Sequence, residues 1–139
     1  NPQTRFHYLS SSPIQLLPPL QGFLQSEGFP PGSMHLREST TLRTLIPGEG
    51  ESRAHKISAI ARLMEDFPQR RFLLVGDSGE LDPEIYGEVA RKHGRRIEGI
   101  VIRDVTAQDR DAARYAAAFE GVDAAAWHIL RDGQPWPLR

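Results

Sequence analysis

Asp77 and Asp82 stand five positions apart in the string FLLVGDSGELDPEIY, residues 72–86. A four-residue apolar run, Phe72 to Val75, comes just before them, then Gly76. A strand ending in Gly-Asp that turns into a helix places both carboxylates at the carboxyl edge of a sheet. That edge is where open α/β folds bind ligands. Two carboxylates with no thiol or imidazole beside them make a hard-oxygen site, and such a site suits Mg²⁺ over Zn²⁺. The purely structural alternative is that Asp82 caps a helix and Asp77 forms a turn.

Other residues have chemistry to offer. Ser10-Ser11-Ser12 follow an aromatic, strand-type run, Phe6–Leu9. Hydroxyls and free amides at a helix start can hold a phosphate, or can simply cap the helix. Lys56 reads as lying at the start of an amphipathic helix, where a cation opposes the helix dipole. Its ordinary alternative is a solvated surface lysine. His7, His35, His55, His93 and His128 show no ligand spacing and are assigned no metal. His55, beside Lys56, could face the same site.

These groups need elements to hold them. A strand over Phe6–Leu9 leads through the serines into a helix from about Pro13 to Glu27, which restarts at Pro18-Pro19. Ser33–Arg37 is a short strand, and residues 38–52 lack periodicity and read as loop. The clearest helix is Ser52–Phe67, with Ile57, Ile60, Ala61, Met64 and Phe67 on its stripe. A strand over Arg71–Val75 follows, then a helix over Asp82–His93 with Pro83 at its first position and Gly94 at its end. Ile97–Arg103 is a strand, Asp109–Phe119 a helix, and Ala124–Leu130 a last strand. Strands alternating with helices imply parallel pairing, with helices on both faces.

Composition sets the outer limits. The 139 residues are enough for one domain with a core, and a net charge of −1 gives no support for nucleic acid or an anionic membrane surface. Without cysteine there are no disulfides, thiolate metal sites or cysteine nucleophiles, and the compartment is undetermined. No apolar run is long enough to span a bilayer. The sequence begins at Asn1 rather than Met, so it reads as a piece of a longer or processed product.

The order of the groups is as informative as their identity. A strand with Ser, a helix with Lys, then a strand with Gly-Asp and a second Asp is the order of motifs II, III and IV of the haloacid dehalogenase superfamily. Phe6–Glu38 (FHYLSSSPIQLLPPLQGFLQSEGFPPGSMHLRE) and Lys56–Lys92 (KISAIARLMEDFPQRRFLLVGDSGELDPEIYGEVARK), with Ile100–Val105, closely resemble one of its families. That family is the phosphatidate phosphatase catalytic domain of actin-patch-associated type, and the resemblance covers about residues 6–105. It implies a three-layer, Rossmannoid α/β domain with a parallel sheet, residues 1–139 being the C-terminal portion of a single domain. It implies that Ser10, with Ser11 beside it, grips a phosphoryl group and that Lys56 offsets its charge. Asp77 and Asp82 would hold Mg²⁺. The substrate would be a phosphomonoester such as phosphatidate, hydrolysed through an aspartyl-phosphate.

One motif is missing. Motif I, DxDx[TV], supplies the nucleophile at the end of the first strand, and no such string precedes Ser10. Asp109 and Asp111 have the spacing but fall after motif IV, in a helical stretch. The motif I strand lies in the middle of the superfamily's sheet, between the motif II and motif IV strands. Its absence leaves a slot, with unpaired backbone on both sides. A missing N-terminal segment or a second chain would fill the slot, or the two neighbouring strands would close up. The chain by itself is therefore expected to be inactive. The alternative function is a non-catalytic module of degenerate phosphatase fold that binds a phosphate ligand or a protein.

Overall fold

A computed structural model describes residues 4–38, 48–110 and 112–138. The chain divides into two compact units, Asn1–Leu63 and Met64–Arg139.

In the first unit, β1 (Phe6–Pro13) pairs in parallel with β2 (Gly32–Arg37). The strand runs through the three serines rather than ending before them. Between the strands, a single 3₁₀ turn leads into α1 (Leu17–Ser26), which carries Pro18 and Pro19 in its first turn. A proline costs no hydrogen bond there, because the first amides of a helix have no intrahelical partner. The expected restart therefore falls at Leu17. Gly32 is required by the close approach of β1, since a Cβ on it would collide with the backbone of Phe6.

α2 spans Glu49–Asp66 and crosses into the second unit. It begins three residues earlier than the sequence pattern suggests. Glu49 and Glu51 in its first turn suit the positive end of the dipole. Its buried stripe is Lys56, Ala59, Ile60, Leu63 and Met64, rotated from the expected one. Ile57 and Ala61 are only half-buried, and Phe67 lies past the helix end and is exposed. Residues 39–47, part of the expected loop, are outside the described residues.

The second unit is a three-stranded parallel sheet in the order β3 (Phe72–Asp77), β4 (Ile97–Arg103), β5 (Trp127–Leu130). α3 (Asp82–His93) and α4 (Ala113–Ala118) complete it. Pro83 at the start and Gly94, at φ +37°, at the end bound α3 as the sequence predicts. α4 is shorter than expected and excludes Asp109, while Asp111 is not among the described residues. β5 starts only at Trp127, so the Ala124–Ala126 part of the expected strand is not in it.

β4, paired on both sides, is buried at four consecutive residues, Gly99 to Ile102. β3 behaves differently. Leu74 is buried, but Leu73 and Val75 on the other face are 41% and 54% exposed. The apolar run at 72–75 is thus covered on one face only. α3 and α4 lie over the covered face: Gly76 meets Asp82 of α3, and Trp127 stacks on Phe119 just past α4 with ring centroids 4.5 Å apart. α3 approaches α4 through Gly87, where any Cβ would run into the carbonyl of Ala118. Arg91 closes the same contact by donating to the carbonyls of Ala118 and Glu120 at 2.9 and 3.0 Å.

The chain is therefore a mixed α/β protein with parallel sheets, and β1 and β3 sit in separate sheets. Among the described residues each has one strand neighbour, β2 and β4 respectively. No helix among them is long and apolar enough to cross a membrane.

Candidate functional site

The second unit holds the acidic turn. Asp77 is the last residue of β3, and residues 78–81 turn directly into α3. Asp82 does not cap the helix. It is the first helical residue, Leu81 occupies the cap position, and no side-chain cap bond forms. The Asp82 carboxylate points back instead: its Oδ2 accepts the amide of Asp77 at 3.1 Å. Gly76 makes room for it, since a Cβ there would overlap the carboxylate. Asp82 is buried. Asp77 Oδ1 accepts the amide of Gly79 at 2.7 Å, the turn-forming bond expected of an aspartate in this place.

The turn is held from two sides. Ser78 is buried, and its Oγ accepts the amides of Val105 and Thr106 at 2.9 and 3.2 Å and donates to Asp104 Oδ1 at 3.4 Å. This ties the turn to the end of β4. Asp104 also accepts the amides of Thr106 and Gln108, at 3.1 and 3.3 Å. Burial pushes its carboxyl upward, but those amides, Arg131 and Ser78 together bring it below its usual range. On the α3 side, Tyr86 donates its hydroxyl to the carbonyl of Val75 at 3.0 Å. Burial, reinforced by the negative charges of Asp82, Asp77 and Glu80, pushes that phenol well above its ordinary pKa. Arg114 then clasps the turn, a contact that the sequence did not single out. It donates to the carbonyls of Ser78 and Glu80, both at 2.5 Å, and forks onto Glu84 at 2.8 and 3.0 Å.

Asp77 and Asp82 are the residues of this turn that could hold a cation. Asp77 and Asp82 offer oxygen only, the cradle at Gly76 is shaped to the second carboxylate, and chain and turn place both in one bend. No group of three or more His, Cys, Asp or Glu residues among the described ones could hold a metal ion.

The first unit holds the hydroxyls and the lysine. Ser10 Oγ accepts the amide of Ser12 at 3.1 Å and donates to Ser12 Oγ at 3.0 Å, so the serines bond one another within the last residues of β1 rather than capping a helix. Ser11 Oγ hydrogen-bonds Ser52 Oγ on α2, and Arg37 donates to the carbonyl of Ser11 at 3.3 Å. Ser52 stands one turn before Lys56 on that helix, so the strand end reaches the helix face that carries the lysine. Lys56 is neither at the helix start nor a solvated surface lysine; it sits two turns in, and it is buried. It lies beyond the first turn, the stretch in which the helix dipole acts on a charge. His55 does not stand free beside it but lies 3.4 Å from the carbonyl of His35.

Gly76 and Asp77 thus end one parallel strand, with Asp82 opening the helix that follows, and a serine cluster lies at the end of another. A family model described as "Phosphatidate phosphatase APP1, catalytic domain" matches residues 1–104. The chain belongs to this family. It is 39% identical over 99 residues to the phosphatidate phosphatase APP1 of Saccharomyces cerevisiae, covering 70% of this chain and 16% of that protein. It is 38% identical over 102 residues to an uncharacterized protein of Schizosaccharomyces pombe, covering 71% of this chain and 16% of that protein. No solved structure matches the chain. The APP1 catalytic-domain match stops at Asp104, so Arg114, which braces the acidic turn, lies beyond it.

Proposed function

We propose that the protein containing this chain is a Mg²⁺-dependent phosphatase that hydrolyses phosphatidate or a related phosphomonoester through an aspartyl-phosphate. The observation that carries the reading is the acidic turn, with Asp77 and Asp82 in one bend at the carboxyl end of β3, in a member of the APP1 catalytic-domain family. In this reading the full-length protein has the three-layer haloacid dehalogenase fold, with motif I supplied from upstream.

Each residue then has one task. The Ser10 hydroxyl, which donates to Ser12 in this structure, turns its proton to a phosphoryl oxygen, and Ser11 lies beside it. Lys56 offsets the negative charge of the phosphoryl group and the attacking carboxylate. Asp77 and Asp82 hold Mg²⁺. The ion, when bound, supplies charge neutralisation and in-line orientation of the phosphoryl group. Phosphoryl transfer needs positioning and neutralisation more than covalent chemistry from the protein, and this set supplies both.

The test is phosphate release from phosphatidate-containing vesicles by the full-length protein. Release should need Mg²⁺, stop with a chelator, and fall by about a hundredfold or more in Asp77→Asn. Full activity in Asp77→Asn, or in the presence of the chelator, would overturn the reading.

A further inference from the structure

The turn carrying Asp77 has its own hydrogen bonds. A side chain from α4 grips it as well, from a part of the chain beyond the family match. We propose that Arg114 is a positioning residue for the metal-binding turn, fixing the Asp77 carboxylate through a single peptide plane. The proposal rests on the reading of Asp77 and Asp82 as Mg²⁺ ligands.

The geometry is specific. Arg114 donates to the carbonyl of Ser78 at 2.5 Å, and Asp77 Oδ1 accepts the amide of Gly79 at 2.7 Å. That carbonyl and that amide belong to the same planar peptide unit, with oxygen and hydrogen on opposite sides. Gripping the oxygen fixes the direction of the N–H, and the N–H fixes the carboxylate. The second guanidinium nitrogen holds the carbonyl of Glu80 at 2.5 Å, so the plane cannot rotate without moving the next residues as well. The fork is rigid and planar, so the two carbonyls are held at a set separation. Glu84 locks the guanidinium in turn, with its two carboxylate oxygens at 2.8 and 3.0 Å. The Ser78 side chain is anchored the other way, to the backbone after β4. Held at both ends, the peptide between Ser78 and Gly79 has one orientation.

A lysine cannot reproduce this, since one ammonium lacks the planar fork that spans two carbonyls and a carboxylate. Residues that orient metal ligands change affinity by about 10- to 100-fold when removed. The test uses the full-length protein as wild type, Arg114→Ala, Arg114→Lys and Asp77→Asn. Two quantities are read: hydrogen exchange of segment 76–81, with segment 99–103 of β4 as the folding control, and Mg²⁺ affinity by calorimetry. In Arg114→Ala, exchange over 76–81 should rise at least about tenfold with β4 unchanged, and Mg²⁺ should bind about tenfold more weakly. Arg114→Lys should fall between. Unchanged exchange over 76–81 in Arg114→Ala overturns the clamp, whatever the metal does. Loosened exchange with unchanged Mg²⁺ affinity overturns its role in positioning. If Asp77→Asn binds Mg²⁺ as tightly as wild type, the metal reading fails instead, and with it the positioning role that rests on it.

Discussion

The carboxylate of Asp82 accepts the amide of Asp77 at 3.1 Å, directly over a glycine, Gly76, whose missing side chain makes the room. The second acid of the pair therefore does two things at once. It satisfies a backbone donor at the strand end, and it lies in the same bend as the first acid. A helix cap, the structural alternative for Asp82, would have turned it away from Asp77.

Gly76→Ala should expose this dependence. A methyl group there overlaps the Asp82 carboxylate. Overpacking of this kind costs about 1–3 kcal/mol, read as a lower midpoint in chemical denaturation. Adding Asp82→Ala removes the overlap, so the double variant should lose clearly less than the sum of the two single losses. Strict additivity would show that the two residues do not share the space.

Acid should unfold the second unit through Glu84 and Asp104. The hydrogen bond from Arg114 holds the Glu84 carboxyl below its ordinary 4.5, outweighing its partial burial. Asp104 lies below its ordinary 3.8, burial being overcome by the hydrogen bonds around it. Both values are lowered on folding, so each contributes stability that is complete above the unfolded value. That contribution is lost as pH falls through the folded one. The melting temperature should drop on acidification below about pH 4. Glu84→Gln and Asp104→Asn should start lower at neutral pH and fall less steeply. Melting curves for the variants that run parallel to wild type across this range would refute the assignment.

Lys56 lies on the buried stripe of α2, two turns from its start. Its aliphatic stem and its charge can be separated. Lys56→Met keeps the stem and removes the charge. In the full-length protein the same change should lower phosphate release on the order of a hundredfold, because the missing cation no longer offsets the phosphoryl charge. Unchanged release with unchanged stability would remove Lys56 from the site.

Legibility followed the range of the forces involved. α3 and β4 match the sequence to the residue, because Pro83 and Gly94 act locally and β4 carries the apolar run Ile100–Ile102. The order of Ser10, Lys56, Asp77 and Asp82 could also be read in one dimension, since each lies next to the strand or helix that carries it. What the sequence hid was long-range. Lys56 looked like a helix start because the first turn of α2 carries Glu49, Gly50 and Glu51, which show no apolar period. The orientation of Asp82 depends on the space above Gly76, which no pattern within the helix reveals. Arg114 is one arginine in an Ala- and Arg-rich stretch, and its carbonyl partners lie 34 and 36 residues away.

The edges of β1 and β3 lead to the last prediction. In separate sheets, each has one strand neighbour among the described residues, and β3 leaves Leu73 and Val75 exposed on one face. Backbone groups on such an edge exchange with water unless another strand pairs with them. If an upstream strand with the DxDx[TV] string inserts there, amides of Phe72–Asp77 should be markedly better protected in the full-length protein than in the 139-residue chain, while those of β4 change little. The same comparison should separate activity. The 139 residues hold no aspartate pair before Ser10, so alone they should release no phosphate from phosphatidate or a chromogenic phosphomonoester. Losing a nucleophile removes the covalent step and not only binding. The full-length protein should turn over, and changing the first aspartate of its DxDx[TV] to Asn should abolish turnover and leave the added protection of β3 in place. Turnover by the 139-residue chain would place the nucleophile within it and bring Asp109 and Asp111 back into consideration.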